Sequence, residues 1–352
     1  MLNTATASRL QFLYAWRQSQ GRRARQEDYC MTSPAARSAD APAGGSRVLV
    51  ALADGMGGHV SGQIASRTVC DSYVRAFSDD TGDIGPRLAN ALALCNDAVA
   101  QAIVADPTLA GMGSTLVAAH VDGNGVRWVS VGDSTLMLYR GGILQRLNAD
   151  HSHGAILDQQ AAAGIISEEV AKGDARRRAL HSAITGQPIP LQDLGLQGYP
   201  LEPGDWVILA SDGLLTLSGD EIATLIHDYA DARPDELVAA LVAAVEDCGE
   251  PNQDNTTVAA LSVHAAPAAA DDADAAEAQG TPDAASVTSV STRIVDNGGN
   301  GGTGGNGRKV GAARAADSID EPEARSLIKP LLISALLVGL IAALAWWWLA
   351  GG

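Results

Sequence analysis

The 352-residue sequence is short of several things, and each shortage removes a class of protein. Aromatic residues make up 4% of it, so the core has to be built from Ala, Val, Leu and Ile. Hydrophobic residues nevertheless reach 46%, enough for a sizeable core and too many for a wholly disordered chain. Basic residues are in deficit, 24 against 41 acidic ones, for a formal charge of −17. Such a balance excludes non-specific nucleic-acid binding, which needs clustered Lys and Arg; anions could bind only at a local exception. Cys30, Cys70, Cys95 and Cys248 are scattered, with no CxxC and no nearby His pair. They form neither a zinc pattern nor a disulfide framework and suit a reducing cytosol. The first twenty residues lack an apolar run of signal-peptide length, so an exported catalytic part is not expected. No GxxxxGK[ST] occurs, and Gly55-x-Gly57-x-x-Val60 lacks the third glycine of a dinucleotide fingerprint. Met56 stands two residues after Asp54, which argues against a phosphatase with an aspartyl nucleophile and a neighbouring acid Asp.

What is present falls into three regions. Residues 1–265 form one expected domain, in which short β-like runs alternate with helical stretches from about Leu10. The runs are Val48–Ala53, Thr115–Val121, Val126–Val131, Leu136–Tyr139, Trp206–Ala210 and Thr257–Val263. Helices are expected at Gln63–Phe77, Arg87–Val104, Ser218–Tyr229 and Asp235–Asp247, with Ser218 and Glu221 spaced as a capping box. Residues 266–326 are rich in Ala, Asp, Ser and Gly, a composition expected of a flexible tether. Residues 327–350 hold the uncharged run Leu331–Leu349, which at ~1.5 Å per residue would cover roughly 28 Å as a helix. Trp346, Trp347 and Trp348 lie near one end, Arg325 and Lys329 at the other. The pattern predicts a single-pass transmembrane tail anchor, with the large N-terminal part on the cytoplasmic side of the inner membrane.

Within the first region one pattern recurs: an apolar run ends in an aspartate followed by a small residue. It occurs at Asp54-Gly55, Asp133-Ser134 and Asp212-Gly213; Asp254-Asn255 reverses it, preceding its run. A buried strand fixes its last residue, so each carboxylate is expected at the rim of a sheet, and Gly lets a carbonyl approach an ion. Several carboxylates at one rim repel unless a multivalent cation neutralises them, and oxygen-only ligation selects Mg²⁺ or Mn²⁺ over zinc.

Taken in order, the motifs resemble the bacterial form of the PP2C (PPM) family of metal-dependent Ser/Thr protein phosphatases. Arg23-Ala24-Arg25-Gln26-Glu27-Asp28 is similar to its R-x-x-N-[EQ]-D opening, with Gln26 in place of Asn. Asp54-Gly55-Met56-Gly57-Gly58-His59, Gly111-Met112-Gly113-Ser114-Thr115-Leu116 and Val131-Gly132-Asp133-Ser134 follow. Asp150-His151-Ser152, Ser211-Asp212-Gly213-Leu214 and Asp254-Asn255-Thr256-Thr257 complete the series. The resemblance implies a four-layer α/β/β/α sandwich, two antiparallel sheets flanked by helices. By position, Asp54 would bridge two Mn²⁺ or Mg²⁺ ions, Asp212 and Asp254 would hold the first, and the Gly55 carbonyl the second. Glu27 or Asp28 would serve the second ion directly or through water, and Asp133 with Asp212 a weaker third. Water shared by the ions would attack the phosphorus in line, with Arg23 clamping the phosphoryl oxygens. Met56 occupies the place of a His that eukaryotic relatives use, so metal-bound water is a better proton donor than His59. A mobile flap is implied between Asp150 and Gly186, where Arg176, Arg177 and Arg178 could meet acidic or phosphorylated segments; its usual ending is altered in Leu180–Gly186.

The expected function is removal of phosphate from Ser or Thr of proteins phosphorylated by a cognate kinase, at the membrane's inner face. A catalytically inactive phosphoprotein-binding module and a metal-stabilised membrane scaffold are the competing readings.

Overall fold

Residues 10–33, 43–58 and 60–266 are described by the structure, a computed structural model. The strands among them are β1 (Leu10–Ser19), β2 (Asp28–Ser33), β3 (Ala43–Gly45), β4 (Arg47–Met56), β5 (Gly113–Ser114) and β6 (Leu116–Asp122). β7 (Gly125–Val131), β8 (Thr135–Arg140), β9 (Ile143–Arg146), β10 (Asp193–Tyr199), β11 (Trp206–Ala210) and β12 (Thr256–Ala265) follow. The helices are α1 (Ser61–Asp79), α2 (Ile84–Ala105), α3 (His153–Ala162), α4 (Glu168–Gly173), α5 (Gly219–Asp228) and α6 (Pro234–Asp247).

Successive side chains of a strand point to opposite faces, so a strand covered on both faces reads as one unbroken apolar run. β4 is such a strand. Val48, Val50 and Leu52 enter one apolar layer; Leu49, Ala51 and Ala53 enter another. β11 divides in the same way, with Val207 and Leu209 on one side and Trp206, Ile208 and Ala210 on the other. Three apolar layers therefore stack. The first lies between α1, α2 and the sheet β10-β7-β6-β4-β2, to which β5 adds by pairing with β4. The second joins the two sheets. The third lies between the sheet β3-β1-β12-β11-β8-β9 and α5 and α6. The recorded strand pairings, β1 with β12 and β4 with β6 among them, are antiparallel. The arrangement is the α/β/β/α sandwich implied by the motifs.

The six apolar runs are β4, β6, β7, β8, β11 and β12, and the four expected helices are α1, α2, α5 and α6. Ser218 and Glu221 form the capping box, and Pro234 opens α6. By length and composition α2 could cross a membrane. In the fold its apolar face, including Leu88, Leu92, Cys95 and Val99, is buried in the first layer. All four cysteines are free, and burial pushes the Cys95 thiol up to about 12. His59, the expected tether (all but Ala266) and the expected membrane segment lie outside the described residues.

Candidate metal and phosphoryl site

β2 and β4 bring the first two carboxylates together: Asp28 and Asp54 are direct cross-strand partners. Asp54 is locked through its backbone. Its N–H donates to Thr115 Oγ1 at 2.9 Å, and its carbonyl accepts from Thr115 N and Ser114 Oγ, both at 2.9 Å. Thr115 Oγ1 in turn lies 2.7 Å from Ser134 Oγ, which ties the turn carrying Asp133 to the same point. Two short segments quoted from the sequence are thus a frame for Asp54.

Asp28 is buried, and its Oδ2 accepts from Ser211 Oγ at 2.7 Å and Thr257 Oγ1 at 2.8 Å. Those two donors flank Asp212 and Asp254 in sequence, so the bonds draw the ends of β11 and β12 toward β2. Asn255 pins the opening segment. Its Oδ1 accepts from Glu27 N at 2.7 Å, and its Nδ2 donates to the carbonyls of Gln20 and Arg25, both at 2.9 Å. Gln26, at the family's Asn position, donates to Ser19 O and accepts from Asp28 N, a local brace.

Gly55 and Gly62 meet so closely that a Cβ on Gly55 would stand 1.9 Å from the Gly62 carbonyl oxygen. A Cβ on Gly62 would lie 2.7 Å from Glu27 Oε1 and 2.8 Å from Gly55 O. Glu27 and the Gly55 carbonyl therefore turn oxygens toward one small space.

One cavity of about 600 Å³ is lined by Asp54, Asp133, Asp212 and Asp254 together with Arg23 and Arg178. Burial is the largest force on Asp28, Asp54, Asp133, Asp212 and Glu27 and raises each of these carboxyls above its usual range. Asp28 is pushed up to about 7, with Asp212 and Asp254 adding to burial and the Ser211 and Thr257 hydroxyls opposing it. Asp133 also reaches about 7, through burial and then Asp212 and Asp150. Asp54 is driven well up by burial and by Asp28, Asp212, Asp133 and Asp254. Asp212 is raised by burial and Asp254, with Arg178 and Arg23 pulling it back. Glu27 is raised by burial, against Arg23.

The donor set fits a hard divalent cation. It consists of oxygens, and Asp28 Oδ1 and Asp212 Oδ1 are buried without a hydrogen-bond partner, a costly condition that a cation would relieve. Among the described residues no three His, Cys, Asp or Glu side chains are gathered into a closed ion cage. That sparseness suits Mg²⁺-like ions, which take one or two carboxylates and keep several waters.

The two arginines of the cavity converge on one carboxylate. Arg23 Nη2 donates to Asp254 Oδ2, and Arg178 Nη1 stands 3.9 Å from the same oxygen. Of the three consecutive arginines, Arg176 is paired with Asp174 and Arg177 with Asp158, so Arg178 is the one that faces the site. Met56 and His181 also line the cavity, and His181 Nε2 is 3.2 Å from His153 Nδ1. The altered segment 180–186 is joined to the frame by paired backbone bonds between Ile184 and Ser114.

A family model described as Protein phosphatase 2C matches residues 36–261. The chain belongs to the protein phosphatase 2C family. The protein phosphatase PhpP of Streptococcus pneumoniae is 32% identical over 224 residues, which cover 62% of this chain and 87% of that protein. The serine/threonine protein phosphatase PstP of Mycobacterium tuberculosis is 34% identical over 174 residues, 49% of this chain. The match spans only 33% of PstP's own length. Among solved structures, the catalytic domain of PstP in complex with two manganese ions superposes with a TM-score of 0.58 at 30% identity. That comparison covers 72% of this chain and 99% of the PstP domain. For the phosphatase 2C domain of this chain, sequence reasoning found the carboxylates but not Asn255, Ser211 and Thr257 as the groups that position them. The signal for Ser211 and Asn255 was adjacency to Asp212 and Asp254; Thr257, three residues after Asp254, carried none.

Proposed function

We propose that the chain is a metal-dependent phosphatase that removes phosphate from phosphoserine and phosphothreonine of proteins. The observation that carries this reading is the meeting of Asp54, Asp133, Asp212 and Asp254 with Arg23 and Arg178 in one cavity. Asp54, Asp212 and Asp254 would hold one Mn²⁺ or Mg²⁺. Asp54, the Gly55 carbonyl and Glu27 or Asp28 would hold a second, and Asp133 with Asp212 a weaker third. Such ions, when bound, supply a nucleophile at neutral pH and offset phosphoryl charge.

The chain's own residues supply position and charge. Asp28, gripped by two hydroxyls, cannot swing away from Asp54, and this fixes the spacing of the basin. Arg23, oriented by Asp254, presents a planar donor fork to phosphoryl oxygens, and Arg178 adds a second guanidinium from the flap. Both arginines are exposed at the rim, so a phosphorylated side chain can reach them.

The substrates in this reading are products of a Ser/Thr kinase of the same cell, met at the inner face of the membrane. The sequence of Leu331–Leu349, uncharged and preceded by Arg325 and Lys329, supports the anchor. A tether of ~60 residues gives a root-mean-square reach of roughly 40–45 Å. High-salt washing should leave the full-length protein with membranes until detergent is added; release by salt alone refutes the anchor.

The catalytic reading is tested by incubating the full-length protein with a phosphothreonine peptide, with Mn²⁺ or with chelator. Phosphate release that needs the metal and disappears in Asp54→Ala and Asp212→Ala is expected. Release that is indifferent to metal or survives both substitutions overturns the reading. Metal binding without release favours the inactive binding module or scaffold.

A further inference from the structure

A second cavity, of about 670 Å³, opens at the other end of β4, where Arg47, Arg87 and His120 line it. In a chain of formal charge −17 this is a concentration of cationic and nitrogen-bearing groups. Among the described residues, neither Arg47 nor Arg87 has a carboxylate partner. Arg87 is nevertheless held in place. Its Nε and Nη2 donate to Phe77 O at 3.2 and 2.6 Å, and its guanidinium lies 4.1 Å over the Phe77 ring. Those bonds leave Nη1 for a ligand.

His120 is 4% exposed, and its Nδ1 has no hydrogen-bond partner. Asp122 Oδ2, 3.8 Å away, is beyond hydrogen-bond reach, and that carboxylate is engaged by Arg127. Burial lowers the imidazole to about 4, with Arg127, Arg87 and Arg47 acting in the same sense and Asp122 against them. At neutral pH the ring is therefore neutral and has one N–H to offer.

The 22-residue helix α2 begins at this cavity, since Ile84 lines it. Its N-cap Asp83 makes no side-chain cap and its first turn holds no acidic residue. Pro86 has no N–H and Arg87 N donates to Asp83 O, so among the described residues the Ile84 and Gly85 amides are the two left without a hydrogen bond at this start. Ser33, Ser78 and Thr81 add hydroxyls. The carboxylate in the lining, Asp80, is turned to the Gly82 N–H through Oδ1.

From this convergence we infer that the cavity binds a small oxyanion of the phosphate class, free or as the phosphoryl group of a small ester, at the pole of the domain away from the carboxylate basin. A phosphate oxygen is an acceptor for each unused donor: Arg87 Nη1, the Arg47 guanidinium, the buried imidazole and the first amides of α2. The inference does not depend on the catalytic reading, because the two sites share no lining residue.

The test is a titration of the full-length, isotopically His-labelled protein in chelator, following the His120 imidazole resonance by NMR, with the signal assigned from the His120→Gln variant. Inorganic phosphate is the first probe, O-phosphoserine the second, and chloride at matched ionic strength the control. A saturable shift of the His120 signal is expected with at least one phosphate probe and none with chloride; which probe acts tells the free anion from the ester. Arg47→Gln, which alters an exposed side chain, should weaken the response about tenfold, and Arg87→Gln at least as much. A His120 signal unmoved by both probes overturns the proposal, and so does an undiminished response in Arg47→Gln.

Discussion

Arg47 and Asp54 stand at opposite ends of one strand, roughly 23 Å apart at about 3.3 Å per residue. Between them Val48–Ala53 are buried on both faces, where an unpaired charge would be prohibitively expensive. Polar chemistry is thereby confined to the two ends of β4, and the ends differ in sign. At the Asp54 end, carboxylates from β2, β4 and the segments flanking β11 and β12 crowd together, and those of Asp28, Asp54 and Asp212 are held above their usual range. At the Arg47 end, two arginines without a carboxylate partner among the described residues, and a buried imidazole whose Nδ1 makes no hydrogen bond, stand beside a helix start with no side-chain cap. A strand held rigid by its middle can present opposite demands, for cations and for anions, without either disturbing the other.

The largest expected effect on this contrast comes from Asp54→Ala. Removing the carboxylate that its neighbours surround should lower kcat for a phosphothreonine peptide by about 10³-fold or more, ~4 kcal/mol. The same variant should melt higher than the parent at neutral pH in chelator, because folding no longer has to hold a buried carboxyl far above its usual range. Steady-state kinetics and thermal melts check both halves.

Leu52→Ala removes a fully buried side chain from the layer between the sheets and should cost about 2–5 kcal/mol of stability in a denaturant titration. Because Leu52 belongs to the shared middle, it should weaken both ends. Asn255→Ala acts on one end only. Losing three hydrogen bonds to the opening segment should cost about 1–3 kcal/mol and weaken Mn²⁺ binding while leaving the His120 cavity unaffected.

The acidic end also predicts a pH dependence. Asp28 and Asp133 titrate near 7 in the fold and near 3.8 when unfolded, so the folded chain holds protons that the unfolded chain releases. Stability in chelator should therefore fall as pH rises from about 4 through 7, and saturating Mn²⁺ should flatten the fall. Melting temperatures across that range check the sign. The smallest effect belongs to Arg178→Ala, which should raise KM by about five- to tenfold, ~1 kcal/mol, with kcat little changed, as a rim guanidinium on the flap requires.

Much of this contrast was legible in the sequence at one end and almost none at the other. The carboxylates announced themselves because each ends or begins an apolar run, and a run buried on both faces is the strongest short-range signal a strand can give. β1 and β10 lacked that signal. β1 mixes Gln11, Arg17 and Gln18 into its length, and β10 carries Gly195 and Gly198 and has no fully buried residue. The positioning groups Asn255, Ser211 and Thr257 act through hydrogen bonds across more than 180 residues of chain, which spacing cannot reveal. Arg47, Arg87 and His120 likewise come from β4, α2 and β6 and look like ordinary surface residues until the sandwich brings them together.

The proposed chemistry of the Asp54 end requires it to be a shared seat for divalent ions. Calorimetric titration of Mn²⁺ into chelator-treated, dialysed full-length protein tests it most directly. Saturable binding of more than one ion per chain, lost or reduced to a weak residue in Asp54→Asn and Asp212→Asn, is the predicted result. Absence of binding in the parent, or unchanged binding in both variants, would rule out a shared ion seat there.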